Sequence, residues 1–385
     1  MLIIIYLCML SFALTFQSIP PILTQIRREF NLTHAQAGLL MSFFALPGIF
    51  VAVPGGALSD RLGMKRIGLA SLGFMTLGTL VVGTSNSAAQ AYVGRIASGV
   101  GGLTLAVVLP QLLSKWFIGR ELGLGMGVYN TAMPLGTILS LNVFGILCED
   151  FGWQAPIFVT TGASATAFLA FLLFYKEPQG VVADSKGDLA VAGSASWGWS
   201  IWFVGICWMW FNAALISFIT FSTDFLVNRG YEAGPAGSLS SLIMAGSLLL
   251  SPVVGYGVNR FGREDVFIAA GGILLATTIF LVPTTASTAP LFILAGLAAS
   301  LIPAPTYSLP SRIVRPENLG QAFGVLTACL NIGVLGGPYL VGLTRDLTGD
   351  YALGFRLMAL FAVLVTTTIG LFSLLTTRRK RRPES

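Results

Sequence analysis

Twelve times along the chain the sequence stays apolar for about 20 residues before a charged or turn-forming break, which is the length an α-helix needs to cross a hydrocarbon layer ~30 Å thick. The runs lie roughly at 2–24, 36–58, 66–84, 89–113, 122–147, 155–175, 200–223, 235–257, 266–284, 290–312, 320–343 and 353–376. Inside a bilayer no water is present to satisfy backbone N–H and C=O groups, so each run must satisfy its own as a helix. Composition agrees: only 10% of side chains are charged and 55% are hydrophobic, whereas soluble domains carry roughly a quarter charged residues. Soluble enzymes, disulfide scaffolds and disordered chains are excluded. The expected fold is an all-α integral membrane protein with twelve transmembrane helices. No basic residue precedes the first run before Arg27, so that run reads as a retained helix and not as a signal peptide. Cys8, Cys148, Cys207 and Cys329 lie in or beside apolar runs with no C-x-x-C spacing, and read as free thiols.

One distinctly polar stretch, Lys176 to Ser196, interrupts the pattern between the sixth and seventh runs. It divides the chain into a six-helix bundle at 1–176, a linker at 177–198, a second bundle at 199–377 and a basic tail at 378–385. The halves repeat. At an offset of 199, Gly38, Leu40, Ser42, Gly56, Arg61 and Gly63 fall on Gly237, Leu239, Ser241, Gly255, Arg260 and Gly262. At an offset of 197, Leu122, Gly123, Gly127, Gly136 and Gly145 fall on Leu319, Gly320, Gly324, Gly333 and Gly342. Small residues that recur in register mark close helix packing in a duplicated, pseudo-symmetric unit. With both chain ends cytoplasmic, 16 Lys and Arg fall on the inner side against five outside, and Arg95 falls within a run. A prokaryotic inner membrane with cytoplasmic termini is the expected location.

Between the second and third runs the chain must leave the membrane, turn and re-enter. It does so through Gly56-Ala57-Leu58-Ser59-Asp60-Arg61-Leu62-Gly63-Met64-Lys65-Arg66, the pattern G-x-x-x-D-R-x-G-x-K-R. The second half echoes it as Gly255-Tyr256-Gly257-Val258-Asn259-Arg260-Phe261-Gly262-Arg263. The fourth run holds Arg95-Ile96-Ala97-Ser98-Gly99-Val100-Gly101, an R-x-x-x-G-x-G pattern. On these motifs, and over essentially its whole length, the sequence resembles the major facilitator superfamily of secondary transporters. The resemblance implies two six-helix bundles that alternate access to a midplane site. It also implies a cytoplasmic latch in which Asp60 sits near Leu319 and Gly320, with Gly56, Arg61, Gly63, Lys65 and Arg66 shaping the turn. Asn259, Arg260 and Gly262 make a weaker second copy, since Asn259 replaces the acid. The family's fifth-helix antiporter motif is absent, because Met133 stands where a glycine should precede Pro134. Export in exchange for protons loses ground, and uptake or facilitated movement gains.

The resemblance also indicates which helices line the central cavity. On them, Gln17, Asn130, Trp208, Asn212, Tyr307 and Asn331 are candidate substrate contacts, with helix–helix adhesion as the competing role. The tenth run is broken by Pro303, Pro305 and Pro310 around Tyr307, and irregular backbone at membrane depth must be buried or line a cavity. Arg95 has no obvious acidic partner among the runs. It either pairs with a substrate carboxylate or bonds backbone carbonyls of neighbouring helices. The first alternative points to a monocarboxylate-like anion, moved with a proton. Competing functions are efflux of lipophilic drugs or lipid-like molecules, and a sensor that binds without transport. Asp224, at the outer end of the seventh run, is the nearest candidate for proton coupling, though a solvated helix end would also explain it. His34 follows Thr33, which forms a T-x-x-Q capping box with Gln36, and reads as a solvated neighbour of that cap. The basic run Arg378 to Arg382 reads as an anchor on anionic lipid and not as a nucleic-acid footprint. No phosphate-binding loop, metal-ligand spacing or nucleophile elbow occurs. The chain is therefore expected to be a monomeric transporter of a small molecule, not an enzyme, and to carry no cofactor or metal.

Overall fold

The computed structural model describes residues 1–117, 120–175, 200–285, 287–314 and 319–380, with the side chains at 51–61, 120–124, 259, 311, 319–321 and 377–380 outside that description. The expected linker and the end of the basic tail lie outside the described residues. Every described element is helical. Twelve rods result: α1 Leu2–Glu29, α2 His34–Leu62, α3 Met64–Gly83, α4 Ala88–Trp116, α5 Arg120–Phe151 and α6 Gln154–Phe174 in the first half. In the second half come α7 Ser200–Asn228, α8 Ala233–Phe261, α9 Glu264–Leu281, α10 from Ala289 to Ile313, α11 Leu319–Thr348 and α12 Ala352–Lys380. Eleven are long and apolar enough to span a bilayer, and the described apolar stretch of α2 runs His34–Phe50. The twelve-helix membrane architecture expected from the sequence is the one observed.

Proline sets the breaks. In α1 the regular helix stops at Phe16, a tight turn follows at Pro20–Ile22, and helix resumes over Leu23–Glu29. Pro20 and Pro21 have no N–H to offer the carbonyls one turn earlier, so those carbonyls need other donors. α10 is likewise split, into Ala289–Ser300, Pro303–Ser308 and Pro310–Ile313. Among the described residues, five reversals turn on a glycine at positive φ, backbone that only glycine adopts freely, including Gly63 between α2 and α3 at φ +86° and Gly262 between α8 and α9 at φ +61°. The α2 start carries the expected reciprocal cap, with Thr33 N donating to Gln36 Oε1 at 3.0 Å and Gln36 N donating to Thr33 Oγ1 at 3.2 Å.

The residue pairs in contact fix the helix directions. Gly38 meets Pro338 while Gly48 meets Asn331, so α2 and α11 are antiparallel; Gly333 meets Met209 while Gly337 meets Ala213, so α7 and α11 are parallel. We call the face on which α1 begins the terminal face and its opposite the far face. Near the far face the two halves touch through bare backbone. A methyl group on Gly342 of α11 would lie 2.3 Å from the His34 carbonyl oxygen, and one on Gly38 of α2 would lie 2.6 Å from that of Pro338. Across α5 and α8, a methyl on Gly237 would lie 1.8 Å from the Leu141 oxygen and one on Gly145 would lie 2.9 Å from that of Ala233. Gly38 and Gly237, and Gly145 and Gly342, are repeat partners in the sequence. The duplicated unit thus builds the same seal twice.

Candidate functional site

Between the halves, on the terminal side of that seal, lies a cavity of about 470 Å³, within the range of small-molecule sites. The structure brings Gln17, Asn130, Trp208, Asn212, Tyr307 and Asn331 to its wall. Among the described residues, no side chain on the wall is charged. Trp208 meets Tyr307 edge to face, with centroids 5.2 Å apart and planes at 70°, and stacks on Phe211 at 5.1 Å. The breaks at Pro303 and Pro310 isolate the short helical piece that holds Tyr307 against Trp208.

The amides are oriented by chemistry. Asn212 Nδ2 donates to the Trp208 carbonyl and Asn331 Nδ2 donates to the Thr327 carbonyl, each at 2.8 Å. A carbonyl can only accept, so one hydrogen of each amide nitrogen is used within its own helix, and the second N–H and the Oδ1 acceptor of each remain. Asn331 Oδ1 and Gln17 Oε1 are buried with no hydrogen-bond partner among the described residues. A buried acceptor of this kind carries a desolvation cost of ~1–3 kcal/mol until a donor reaches it. The wall therefore offers aromatic faces with both acceptors and donors, the latter including the remaining amide N–H groups and the buried Trp208 Nε1–H.

Arg95 is not part of that wall. Its Nε donates to the Leu40 carbonyl at 2.7 Å, Nη1 to Thr15 at 2.8 Å and Nη2 to Phe16 at 3.3 Å, and its guanidinium lies over the Phe44 ring at 4.6 Å. The side chain is 1% exposed. Pairing with a substrate carboxylate, one of the two expected roles, is corrected accordingly. The Pro20 break strips α1 of donors to its last carbonyls, and Arg95 supplies them from α4 while tying in α2. The glycines of the same motif serve contact as well: methyl groups on Gly99 and Gly101 would meet the Phe44 and Ser71 carbonyl oxygens at 2.2 Å each.

Asp224 also departs from expectation. α7 continues to Asn228, and Asp224 is 3% exposed, not a solvated helix end. The second piece of α1 and the α11–α12 turn cover it, and its carboxylate accepts hydrogen bonds from the hydroxyls of Thr24 and Tyr351. Burial and the adjacent Asp224 carboxylate push the Tyr351 phenol upward, so it stays protonated as a donor. Nor is His34 solvated: its side chain is 14% exposed, with Nδ1 at 2.9 Å from Asp346 Oδ1 and Nε2 at 3.9 Å from Asp224 Oδ2. Asp346 also takes the His34 and Ala35 backbone N–H groups at 2.7 and 2.8 Å, capping α2 from the other half. Glu149 does the same across α5 and α8, accepting from Ala233 N at 2.7 Å. Sequence reasoning missed both acids, although the repeat offset of 197 places Glu149 on Asp346 and the offset of 199 places His34 on Ala233.

The expected latch residues lie at the terminal face. Gly63 and Gly262 form the reversals already described, Lys65 Nζ lies 5.9 Å from the Tyr175 ring, and Arg66 follows it in the first turn of α3. Arg260 Nη1 donates to the Tyr256 hydroxyl at 3.2 Å, and nearby Arg312 pairs with Glu264 at 2.6 Å. Gly56, Asp60, Arg61 and Asn259 lie in helix, but their side-chain contacts, and those of Leu319 and Gly320, fall outside the described residues. Among the described residues no cluster of His, Cys, Asp and Glu could hold a metal ion.

Comparison with known proteins gives the same architecture. The family model described as Major Facilitator Superfamily matches residues 5–245 and 201–385. The lysosomal dipeptide transporter MFSD1 of Danio rerio is 24% identical over 394 residues, covering 94% of this chain and 86% of that protein. A hexuronate transporter of Bacillus subtilis (strain 168) is 23% identical, covering 89% of this chain and 87% of that protein. Among solved structures, a bacterial homologue of the human lysosomal transporter Spinster, in an inward-facing and occupied conformation, superposes with a TM-score of 0.81 at 16% identity, over 100% of this chain and 98% of that one.

Proposed function

Because the chain belongs to the major facilitator superfamily, and is thus a membrane transporter of small solutes and not an enzyme, we propose that it carries a small, polar, uncharged organic solute by alternating access around the central cavity. One observation carries this reading: the described wall has no charged side chain and presents the amide oxygens of Gln17, Asn212 and Asn331 beside the Trp208–Tyr307 pair. A solute with N–H or O–H donors satisfies those acceptors, and its carbon skeleton lies on the rings. The sharper expectation of a monocarboxylate-like anion rested on Arg95, whose donors are taken by carbonyls, and the described wall holds no positive charge to take its place. The terminal face is read as cytoplasmic, as the 16-to-5 distribution of Lys and Arg supports. On that reading the protein works in an inner membrane, as a monomer, with the Arg378 to Arg382 run against anionic lipid.

Efflux of lipophilic compounds is the second reading. The same wall includes Met9, Phe12, Phe16, Met133 and Met244, and soft, adaptable side chains accept varied apolar cargo. Thermal unfolding of the detergent-purified protein against polyols, sugars, amides, carboxylates and lipophilic cations decides between them. A solute at a hundredfold excess over its dissociation constant stabilises the folded state by about 2.7 kcal/mol. Shifts confined to neutral donors support the proposal, shifts confined to carboxylates overturn it, and shifts confined to lipophilic cations favour efflux. Flux of the stabilising solute into liposomes then separates a carrier from a sensor that only binds.

A further inference from the structure

We propose that His34 is a proton-binding site built into the far-face seal, and that a proton arriving from the far side locks the two halves together there. The inference rests on the alternating-access reading and adds its coupling ligand, a proton, and the residue that takes it.

The seal is made twice, and only one copy carries an imidazole. In both copies a carboxylate at the end of one half's helix caps the start of a helix from the other half: Asp346 of α11 on α2, and Glu149 of α5 on α8. A carboxylate is favoured there because the first N–H groups of a helix lack partners and carry partial positive charge. At the capped position one copy has His34 and the other has Ala233. The α5–α8 copy is an internal control with no imidazole.

The geometry around His34 is incomplete without a second proton. Nδ1 is at hydrogen-bond distance from Asp346 Oδ1, and a carboxylate only accepts, so in the neutral ring that nitrogen carries the hydrogen. Nε2 then turns a bare lone pair toward Asp224 Oδ2 at 3.9 Å, an acceptor against an acceptor. A proton on Nε2 converts that contact to attraction, and the imidazolium bridges both carboxylates. Charges on the surrounding elements agree. α7 contributes Asp224, and α11 contributes Asp346 together with Arg345, whose guanidinium lies over the Tyr351 ring at 4.4 Å. Tyr351 and Thr24 are neutral donors to Asp224. Arg229, beyond Asp224 on α7, is turned to the Pro283 and Thr285 carbonyls, and Arg27, Arg28 and Glu29 close the second piece of α1.

Both carboxylate partners of His34 are lost when the far side opens, because α2 belongs to one half and Asp224 and Asp346 to the other. The closed state therefore binds the proton more tightly than the open state. By linkage, a proton bound more tightly in the closed state favours closure as pH falls, and closure is weakened as pH rises. The ring is 14% exposed on the far side, within reach of protons from that side.

The test uses the full chain in lipid nanodiscs. Spin labels at Asn86→Cys and Ser287→Cys, exposed in far-face loops of opposite halves, report the gap by double electron–electron resonance between pH 8 and pH 5. The four native cysteines are buried. The expected result is a rise of about tenfold in the closed-to-open ratio as pH falls, the equivalent of one unit of differential proton affinity. His34→Gln, which keeps a donor toward Asp346 but takes no proton, abolishes the rise. If that variant does not fold, Asp224→Asn, which keeps its acceptor oxygen, shrinks the rise. A wild type without the rise, or a His34→Gln protein that retains it, overturns the proposal. Solute flux measured separately in liposomes keeps the two readings apart: flux with a pH-indifferent gap sinks only the proton site, and a pH-sensitive gap without flux sinks only the carrier.

Discussion

Arg95 decides between two chemistries with the same sequence signature. An arginine in an apolar run can await an anion or satisfy carbonyls, and what separates the two is the Pro20 break about 75 positions upstream, whose orphaned carbonyls become its partners. Nothing local to Arg95 shows that. Arg95→Ala leaves the Phe16 carbonyl buried without a donor and Thr15 with only the Ser18 hydroxyl, at a cost of about 1–3 kcal/mol if water does not reach the orphan. The expected outcome is a lowered Tm in detergent for the ligand-free protein, where a substrate role would leave Tm unchanged and raise KM. In the cavity the expectation reverses. Asn331→Leu removes an unpaired acceptor on the wall, and transport should show a KM raised roughly threefold to tenfold while the Tm of the ligand-free protein holds or rises. Depth was also hidden at Asp224: the apolar run ends at about 223, yet the helix continues and the distal α1 folds over it.

At the level of elements, the helices were legible because each apolar run has one physical solution in lipid, and the breaks were legible as prolines. The approach of one helix to another was legible only in part. The glycines of the α4 motif sit against carbonyls of α2 and α3, but the sequence did not say which glycines bear contact. Gly99→Ala and Gly101→Ala force a methyl to 2.2 Å from an oxygen, and overpacking of that kind costs about 1–3 kcal/mol. Gly127→Ala, where a methyl meets nothing within 4 Å, gains helix propensity of up to ~1 kcal/mol. Thermal unfolding of the three variants side by side should separate them in sign. The amide orientations belong to the same level, since the helix turn behind Asn212 and Asn331 takes one hydrogen of each nitrogen and points their oxygens outward.

For the whole molecule, duplication was legible in the spacing of Gly38, Gly145, Gly237 and Gly342, while the pairing of one copy against the other was not. The offset arithmetic relates equivalent residues; it does not say that they meet across the interface. In the structure the equivalent glycines join different pairs, Gly38 and Gly342 tying α2 to α11 and Gly145 and Gly237 tying α5 to α8, and this arrangement predicts where the carrier can be stopped. Asn142 Nδ2 of α5 lies 3.0 Å from Ser241 Oγ of α8, across the halves on the far side of the cavity. Oxidising the double variant Asn142→Cys, Ser241→Cys should hold the far face shut. Flux should cease and return on reduction, while solute binding from the terminal face persists, as measured by thermal shift in the oxidised protein.

The paired caps also dictate how fast the far face can open. Both must part for passage, and the energies of well-separated contacts add, so their effects on the opening rate multiply. The Glu149–Ala233 cap contributes a constant factor across the range in which an imidazole titrates, and the Asp346–His34 cap contributes one that changes there. A plot of opening rate against pH therefore rises between two plateaus instead of peaking. The height of the step isolates the histidine-bearing cap, and the lower plateau is the rate with both caps fully engaged.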